Sequence, residues 1–387
     1  MLNLRKKIAA IITLVTIAAW SGSALAAWTV TDLGVLSDWG TSRATAINSN
    51  GQIVGYASTG EFNTSGLDIN HAFLWENGTM TDLGVIGGTS GSLNSYAYGI
   101  NDNGSIVGTS QVSGGDSNSY AFLYSSSTMQ NLNVAGTAYG INNSGQIAGS
   151  GYNNHAFRIN SDGSIQDLGT LSTSSAARSY GRAINASGQV AAYDGIGMGQ
   201  SATNAGFIWT NGAKQATGTL GGTNSTIYGI NNAGQVVGTS EISGGYYTHA
   251  FLYSSGTRTD LGTLGTASQA NQINNNGQIV GFSDGVFDDG NSTHAVLWTV
   301  NADGSASMID LNSLVAGSGW ILSEATGIND QGQIVGWGMV GEGFDAQMHA
   351  YLLSDQAAPV PLPPAMYMFG SALVGLAGLR RKFKGSV

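Results

Sequence analysis

Short apolar segments separated by polar, glycine-containing turns recur along the chain. The clearest copy is Gly-Ile-Asn-Asp-Gln-Gly-Gln-Ile-Val-Gly at residues 327–336, which predicts a short strand, a tight turn and a second short strand. In each copy a glycine lies three residues after the turn asparagine and supplies the positive φ that such a turn requires. The seven copies are centred on Asn48, Asn101, Asn142, Asn185, Asn231, Asn274 and Asn329.

Two further units recur between these turns, and each predicts one more strand. The second unit is apolar and begins with His-Ala-Phe in its regular copies, at residues 71–75, 120–124, 155–159, 205–209, 249–253, 294–298 and 349–353. The third unit resembles Thr-Asp-Leu-Gly, and its aspartate position holds Asp32, Asp82, Asn131, Asp167, Ala216, Asp260 and Asp310. In copies two to seven the third unit follows the second across a turn, so the two strands form a second hairpin.

Each period therefore contains four short strands, and periods of about 40–45 residues with four strands are typical of β-propeller blades. The chain begins with a lone third unit at residues 28–34 and ends with a lone second unit at residues 349–353. Pairing these ends would leave no open edge, which predicts an all-β fold, a closed seven-bladed β-propeller with four-stranded blades. A stacked β-solenoid is the alternative. Within a blade we expect the turn-unit hairpin first, then the second unit, then the third unit outermost.

The ordered combination of Gly-Ile-Asn, Gly-Gln-Ile-Val-Gly, His-Ala-Phe and Asp-Leu-Gly resembles the HAF-repeat family of extracellular proteins over residues 28–356. The pattern is broken in the second unit by Tyr120 and by Ala205-Gly206, and in the third unit around Asn131 and Ala216. The resemblance implies a secreted or surface location and no established chemistry.

Residues 1–27 are predicted to be a secretory signal peptide. A basic start at residues 5–7 precedes an apolar run at residues 8–20, and small residues at 24–26 follow. This order predicts cleavage after Ala26 or Ala27, with a membrane-anchoring helix as the alternative.

Residues 357–387 contain all four prolines, then an apolar run at residues 365–379, then a basic cluster at residues 380–384. The run is shorter than the roughly 20 residues of a simple spanning helix. The proline-rich segment, the apolar run and the basic cluster together resemble a PEP-CTERM sorting signal of the Val-Pro-Leu-Pro type. Its sorting motif is Val360, Pro361, Leu362 and Pro363. The resemblance implies a Gram-negative host and an exosortase as partner. It also implies a membrane anchor through the C-terminal segment before processing, and a cell-surface or extracellular product after it. A plain C-terminal anchor is the alternative.

Charge and cysteine content exclude several classes of function. Seven of the 13 basic residues lie in the two terminal segments, which leaves six against all 23 acidic residues and a net charge of −17 between them. Such a surface would repel nucleic acid, so no nucleic-acid partner is expected. The absence of cysteine excludes disulfides, thiol catalysis and thiolate metal sites.

The repeated polar residues are interpreted as structural. All five histidines occupy the first position of the second unit, namely His71, His155, His249, His294 and His349. A catalytic base is needed once and not once per blade, so we expect each histidine to bond within its own blade instead of forming a ring of ligands. The third-unit aspartates are likewise expected to bond at turns or strand ends. No catalytic motif is present, and no catalytic residue or cofactor is predicted.

The irregular loops between the turn unit and the second unit are predicted to hold the residues specific to this protein. They are also expected to emerge on one face of the propeller. They are residues 58–70, 111–119, 192–204, 241–248 and 282–293. Asp284, Asp288 and Asp289, with Asn291, are candidate oxygen ligands for Ca²⁺, with solvated loop carboxylates as the alternative. Tyr246, Tyr247 and Phe287 are candidates for stacking on sugar rings, with ordinary loop packing as the alternative.

These observations favour an exported, non-catalytic binding or scaffolding protein whose partner is exopolysaccharide or another surface protein. The alternative is a polysaccharide-active hydrolase or lyase, since fold alone does not determine function.

Overall fold

The computed structural model describes residues 27–63, 65–88, 93–114, 118–196, 203–245, 247–285, 293–341 and 345–356. Its strands form seven four-stranded antiparallel sheets, which are the blades of a β-propeller. The seven-bladed propeller is therefore confirmed, and the β-solenoid is excluded. Residues 28–355 form one compact unit.

The strands follow the repeat units closely. Blade 1 contains β2 (Ser42–Ile47), β3 (Ile53–Phe62), β4 (Asp68–Glu76) and β5 (Thr79–Asp82). Blade 2 contains β6 (Ser95–Ile100), β7 (Ile106–Gln111), β8 (Ser119–Ser125) and β9 (Thr128–Ala135). Blade 3 contains β10 (Thr137–Ile141), β11 (Ile147–Ser150), β12 (Ala156–Ile159) and β13 (Ile165–Gly169). Blade 4 contains β14 (Arg178–Ile184), β15 (Val190–Ile196), β16 (Thr203–Thr210) and β17 (Ala213–Ala216).

Blade 5 contains β18 (Gly221–Ile230), β19 (Val236–Ile242), β20 (Thr248–Ser254) and β21 (Thr257–Asp260). Blade 6 contains β22 (Ser268–Ile273), β23 (Gln278–Asp284), β24 (Thr293–Val300) and β25 (Ala306–Asp310). Blade 7 contains β26 (Trp320–Ile328), β27 (Ile334–Val340) and β28 (Gln347–Gln356), and is completed by β1 (Ala27–Asp32). Two short 3₁₀ helices are Tyr152–Asn154 and Leu311–Leu314.

The predicted strand order within a blade is also confirmed. The strand before each turn asparagine is innermost and borders the centre of the ring, and the third-unit strand is outermost. In blade 7 the order is β1-β28-β27-β26, so the N-terminal strand closes the ring from its outer edge. At this seam the Leu33 N–H donates to the Ala350 carbonyl at 3.0 Å. The two terminal strands therefore pair with each other and complete blade 7.

The core consists of apolar clusters that join neighbouring blades. The aromatic residue of the second unit is fully buried, as Phe122 shows. Its ring lies over a glycine of the second strand, since a Cβ added at Gly108 would lie 2.7 Å from the Phe122 ring and 2.0 Å from the Tyr96 carbonyl oxygen. The second glycine of Gly-Gln-Ile-Val-Gly is therefore a packing requirement and not a turn residue.

The antiparallel order gives the disc two distinct faces. The tight turns around the repeated asparagines lie on one side, here called the asparagine face. The connections between second and third strands, and those between blades, lie on the other side, here called the loop face. The irregular loops thus share one face, as predicted from the repeat order.

The predicted signal peptide and sorting signal lie almost entirely outside the described residues, so they remain predictions. Residues 1–26 and 357–387 carry the n-region, the apolar runs and the sorting motif. In the part of the chain that is described, no helix has the length and apolar character needed to cross a bilayer.

Candidate functional site

Each histidine of the second unit bonds to the third-unit aspartate of its own blade, as expected. The Nδ1 atom lies 2.7–2.9 Å from the carboxylate in the pairs His71–Asp82, His155–Asp167, His249–Asp260, His294–Asp310 and His349–Asp32. The aspartates also accept local backbone N–H groups, such as that of Gly84 on Asp82 at 2.7 Å. The pKa of Asp82 is lowered overall. Burial acts to raise this pKa, but the hydrogen bonds from His71 and Gly84 lower it by more. These pairs tie the outer two strands of a blade together.

A serine near the start of the innermost strand connects the pairs of blades 1, 3, 5 and 7 to the next blade. The Ser95 hydroxyl accepts the Ala72 N–H at 2.9 Å and donates to the Gly84 carbonyl at 2.5 Å. Ser42 and Ser179 make the same two contacts across their own blade boundaries. The His-Ala-Phe and Asp-Leu-Gly motifs are thus explained by contacts within and between blades.

The repeated turn asparagines form a closed ring of hydrogen bonds on the asparagine face. Each Nδ2 donates to the backbone carbonyl of the asparagine in the next blade at 2.9–3.2 Å, and the bond from Asn329 to Asn48 completes the circle. Each Oδ1 accepts N–H groups of its own turn, such as Ser187 and Gln189 on Asn185. The sequence indicated only the turn role, because a single repeat does not show what the free amide hydrogens contact.

The candidate calcium ligands are not brought together by the described residues. Asp284 accepts the Thr266 N–H and hydroxyl at 2.8 and 2.6 Å and the Ala267 N–H at 2.6 Å. Burial raises the pKa of Asp284, and these hydrogen bonds lower it by more. Both oxygens therefore have protein donors and hold the connection before β22. Residues 286–292, with the other candidates Asp288, Asp289 and Asn291, lie outside the described residues. No group of three metal-ligating side chains occurs in the described ranges.

The candidate stacking residues on the loops are only partly described. Tyr247 is about half exposed, at 52%. Tyr246 and Phe287 lie outside the described residues. Larger apolar exposure occurs in the connections of blade 1, where Trp39, Phe62 and Leu67 are 87%, 63% and 65% exposed.

A cavity of about 470 Å³ occupies the centre of the ring. The innermost strands approximate Ser-x-Ala-x-Gly-Ile-Asn, and the x positions vary while the others repeat. The residue three positions before the ring asparagine borders the cavity in every blade, namely Thr45, Tyr98, Tyr139, Arg182, Tyr228, Asn271 and Thr326. Arg43, Gln269 and Glu324, two positions earlier, border it closer to the loop face. A symmetric scaffold therefore surrounds an asymmetric site.

One half of the cavity wall is aromatic and cationic. Tyr98 and Tyr139 have ring centroids 5.2 Å apart. The Arg182 guanidinium carbon lies 4.3 Å from the Tyr139 ring centroid and 5.3 Å from that of Tyr228. Burial raises the pKa of Tyr98 and of Tyr228, so both phenols stay neutral at physiological pH. This half presents hydroxyl groups, aromatic faces and one guanidinium.

The opposite half of the wall is polar and is centred on Glu324. Asn271 Nδ2 and Trp337 Nε1 donate to its carboxylate at 2.8 and 3.0 Å. Burial raises the pKa of Glu324, and this effect exceeds the lowering by the two hydrogen bonds and by the Arg43 charge. The Arg43 guanidinium lies 4.3 Å from the Trp337 ring centroid. Among the described residues that border the cavity, Glu324 is the only one with a carboxylate.

A second acid with a raised pKa lies outside the cavity, on β15. Asp194 is 2% exposed, and its Oδ1 has no hydrogen-bond partner among the described residues. Its Oδ2 accepts the Ser172 N–H at 2.7 Å. In blades 2, 5 and 6 a serine at the same position accepts a backbone N–H of the preceding connection, namely Ser110, Ser240 and Ser283. Burial raises the pKa of Asp194 above 3.8, despite lowering contributions from backbone N–H groups.

Replacement of Asp194 by the serine found in blades 2, 5 and 6 should stabilise the fold. Asp194→Ser removes a buried unpaired oxygen while keeping an acceptor, which corresponds to about 1–3 kcal/mol at pH 7. The folded protein holds the Asp194 proton more tightly than the unfolded chain, so wild-type stability falls as pH rises above about 3.8. The gain should therefore be large at pH 7 and small at pH 3 in denaturant unfolding. Exposed Asp68→Ser is the control, and an equal gain at both pH values would contradict the assignment.

Sequence reasoning missed the cavity residues and favoured the loops. The available signal was variation at one position of an otherwise constant strand, three residues before each turn asparagine. Those seven residues are 41 to 55 positions apart along the chain, and only ring closure brings them together.

Comparison with known proteins supports the fold. A family described as a protein of unknown function (DUF3466) matches residues 20–209. No curated protein matches the chain. The β-propeller domain of the Trilobed protease from Pyrococcus furiosus, described as having an open velcro topology, is similar with a TM-score of 0.52 and 9% identity over 84% of this chain and 97% of that chain.

Two further propellers show a weaker likeness. The Trypanosoma rangeli sialidase has a TM-score of 0.34 and 8% identity over 81% of this chain and 54% of that one. The six-bladed fungal lectin of Aleuria aurantia has a TM-score of 0.32 and 10% identity over 83% and 98%. The similarity in fold therefore rests on the propeller domain of the Pyrococcus furiosus protease.

Proposed function

We propose that this chain is an exported, non-catalytic propeller that binds polysaccharide at the cell surface or in the extracellular matrix. The central cavity carries the proposal, because its lining is the part of the scaffold that does not repeat. The N-terminal signal pattern and the C-terminal sorting pattern support export. Handling by an exosortase is part of the same proposal.

The chemistry of the cavity suits a saccharide. Its volume of about 470 Å³ lies within the range of roughly 300–1,000 Å³ common for small-molecule sites. Tyr98 and Tyr139 offer aromatic faces for the apolar face of a sugar ring. Gln269 and Gln272 offer amide groups to its hydroxyls. Exposed Trp39, Phe62 and Leu67 keep a surface protein as the second candidate partner, at the connections of blade 1.

An enzyme is the competing function, and Glu324 is the observation that favours it. A carboxyl with a raised pKa beside a cavity is a common general acid. Most glycosidases, however, use two carboxyl groups on either side of the bond that breaks. Glu324 is alone among the residues bordering this cavity and already accepts two protein hydrogen bonds. Binding without turnover is therefore the better-supported function.

A glycan array with residues 27–356, the compact unit with its terminal strands complete, tests the proposal. We expect retention of intact glycans, with no cleavage product detected by mass spectrometry. Tyr139→Ala should weaken binding by about tenfold, because it removes an aromatic face of the cavity. The matched control Tyr247→Ala removes an aromatic side chain from a loop and should leave affinity unchanged.

The outcomes separate the hypotheses. A glycan that is shortened or unsaturated after incubation would establish the enzyme. Loss of binding in Tyr247→Ala but not in Tyr139→Ala would move the site to the loops. Absence of binding to every glycan would refute the saccharide proposal and leave a surface protein as the candidate partner.

A further inference from the structure

Arg182 is a cation without a carboxylate partner in the middle of an acidic protein. Its guanidinium borders the central cavity between Tyr139 and Tyr228. No hydrogen bond or ion pair joins it to any of the described residues. A guanidinium has five N–H donors in a planar fork that matches a carboxylate. The guanidinium is only partly buried, so these N–H groups are accessible to a ligand oxygen in the cavity.

The other arginine of the cavity has a different environment. Arg43 Nε donates to Met348 Sδ at 3.2 Å, and its guanidinium stacks on Trp337. Its charge also acts on Glu324. Arg43 thus has a polar contact through its Nε, whereas Arg182 has only ring contacts among the described residues.

We propose that the cavity binds an acidic saccharide and that Arg182 pairs with a carboxylate of one of its uronate residues. This inference rests on the proposed saccharide-binding function and names the class of saccharide. The two tyrosine rings lie 4.3 and 5.3 Å from the guanidinium carbon and help to hold the cation at the cavity wall, where its N–H groups can meet a carboxylate.

The opposite wall is compatible with this orientation. Glu324 belongs to blade 7 and Arg182 to blade 4, so they face each other across the ring. A carboxylate bound at Arg182 is therefore on the far side of the cavity from Glu324. The sugar hydroxyls would then meet Gln269.

Paired ligands provide the test, because glucuronate and glucose differ only in the carboxylate at C6. Oligosaccharides containing glucuronate and their glucose counterparts would be titrated against residues 27–356 by calorimetry at fixed salt. We expect the acidic ligand to bind at least about tenfold more tightly, as a charge-assisted hydrogen-bond pair does. Arg182→Gln should remove this preference while binding of the glucose counterpart changes little. Arg182→Lys should restore part of it.

The control is Arg178→Gln, which changes net charge equally on the same strand but concerns an exposed residue outside the cavity lining. This variant should keep the preference, and thermal unfolding would verify that all variants are folded. Equal affinity for both ligands in the wild type would overturn the role of Arg182 while leaving saccharide binding intact. A preference that survives Arg182→Gln, or is lost in Arg178→Gln, would also overturn it. No binding of either ligand, nor of any array glycan, would refute both proposals.

Discussion

A chain that begins at residue 34 is expected to form an open ring that unfolds at a much lower temperature and self-associates. The deletion removes β1, so the outer edge of β28 loses its hydrogen-bond partner. It also removes Asp32 from His349, and Leu33, which is 4% exposed, from an apolar cluster that joins blades 7 and 1. Loss of one buried leucine alone costs about 2–5 kcal/mol. Size-exclusion chromatography and thermal unfolding measure the two effects.

Adding the missing strand as a peptide would show whether the shortened chain lacks only β1 or is misfolded throughout. A synthetic peptide of residues 27–34 should bind the shortened propeller, return it to a monomer and raise its unfolding temperature. A peptide with Leu33→Asp should not, since the buried leucine is replaced by a charge. A shortened chain that remains monomeric with the wild-type unfolding temperature would show that the seam contributes little.

Asn185→Ala is expected to destabilise the propeller by about 3 kcal/mol, or roughly 5 °C in unfolding temperature. The substitution removes the Nδ2 bonds to the Asn231 carbonyl and to Gln189 Oε1 at 3.1 and 2.7 Å. It also removes the acceptor of the Ser187 and Gln189 N–H groups at 3.1 and 3.0 Å. Because Asn185 is 3% exposed, water does not replace these partners readily. Denaturant unfolding measures the change.

Two variants separate the ring from the turn. Asn185→Asp keeps the Oδ1 acceptor of the turn N–H groups, but it removes both Nδ2 bonds and points a carboxylate oxygen at the Asn231 carbonyl and at Gln189 Oε1. The buried carboxyl should have a raised pKa, and its destabilisation should therefore diminish as pH falls and protonation restores a donor. Ser187→Ala, an exposed change in the same turn, should be nearly neutral. Equal stability of Asn185→Ala and Ser187→Ala would contradict the ring.

The candidate site was predicted less well than the fold. The sequence predicted that the residues specific to this protein, such as Asp284 and Tyr247, lie on the loops, because the loops depart from the repeat. In the structure Asp284 bonds to Thr266 and Ala267, and the asymmetric chemistry lies on the innermost strands. A single repeat does not show this asymmetry, because a tyrosine or an arginine at one variable strand position resembles an ordinary surface residue.

The sequence by itself determined the local structure and the topology of this protein. The spacing of turn asparagines and glycines defined the hairpins, and the lone units at the two ends indicated how the ring closes, because strand pairing depends on short-range pattern and on the need to cover edges. Tertiary structure alone decided that Asn185 bonds to the next blade and that Arg182 and Glu324 face one cavity. These contacts join residues at least 41 positions apart, and they exist only where seven inner strands surround a common axis.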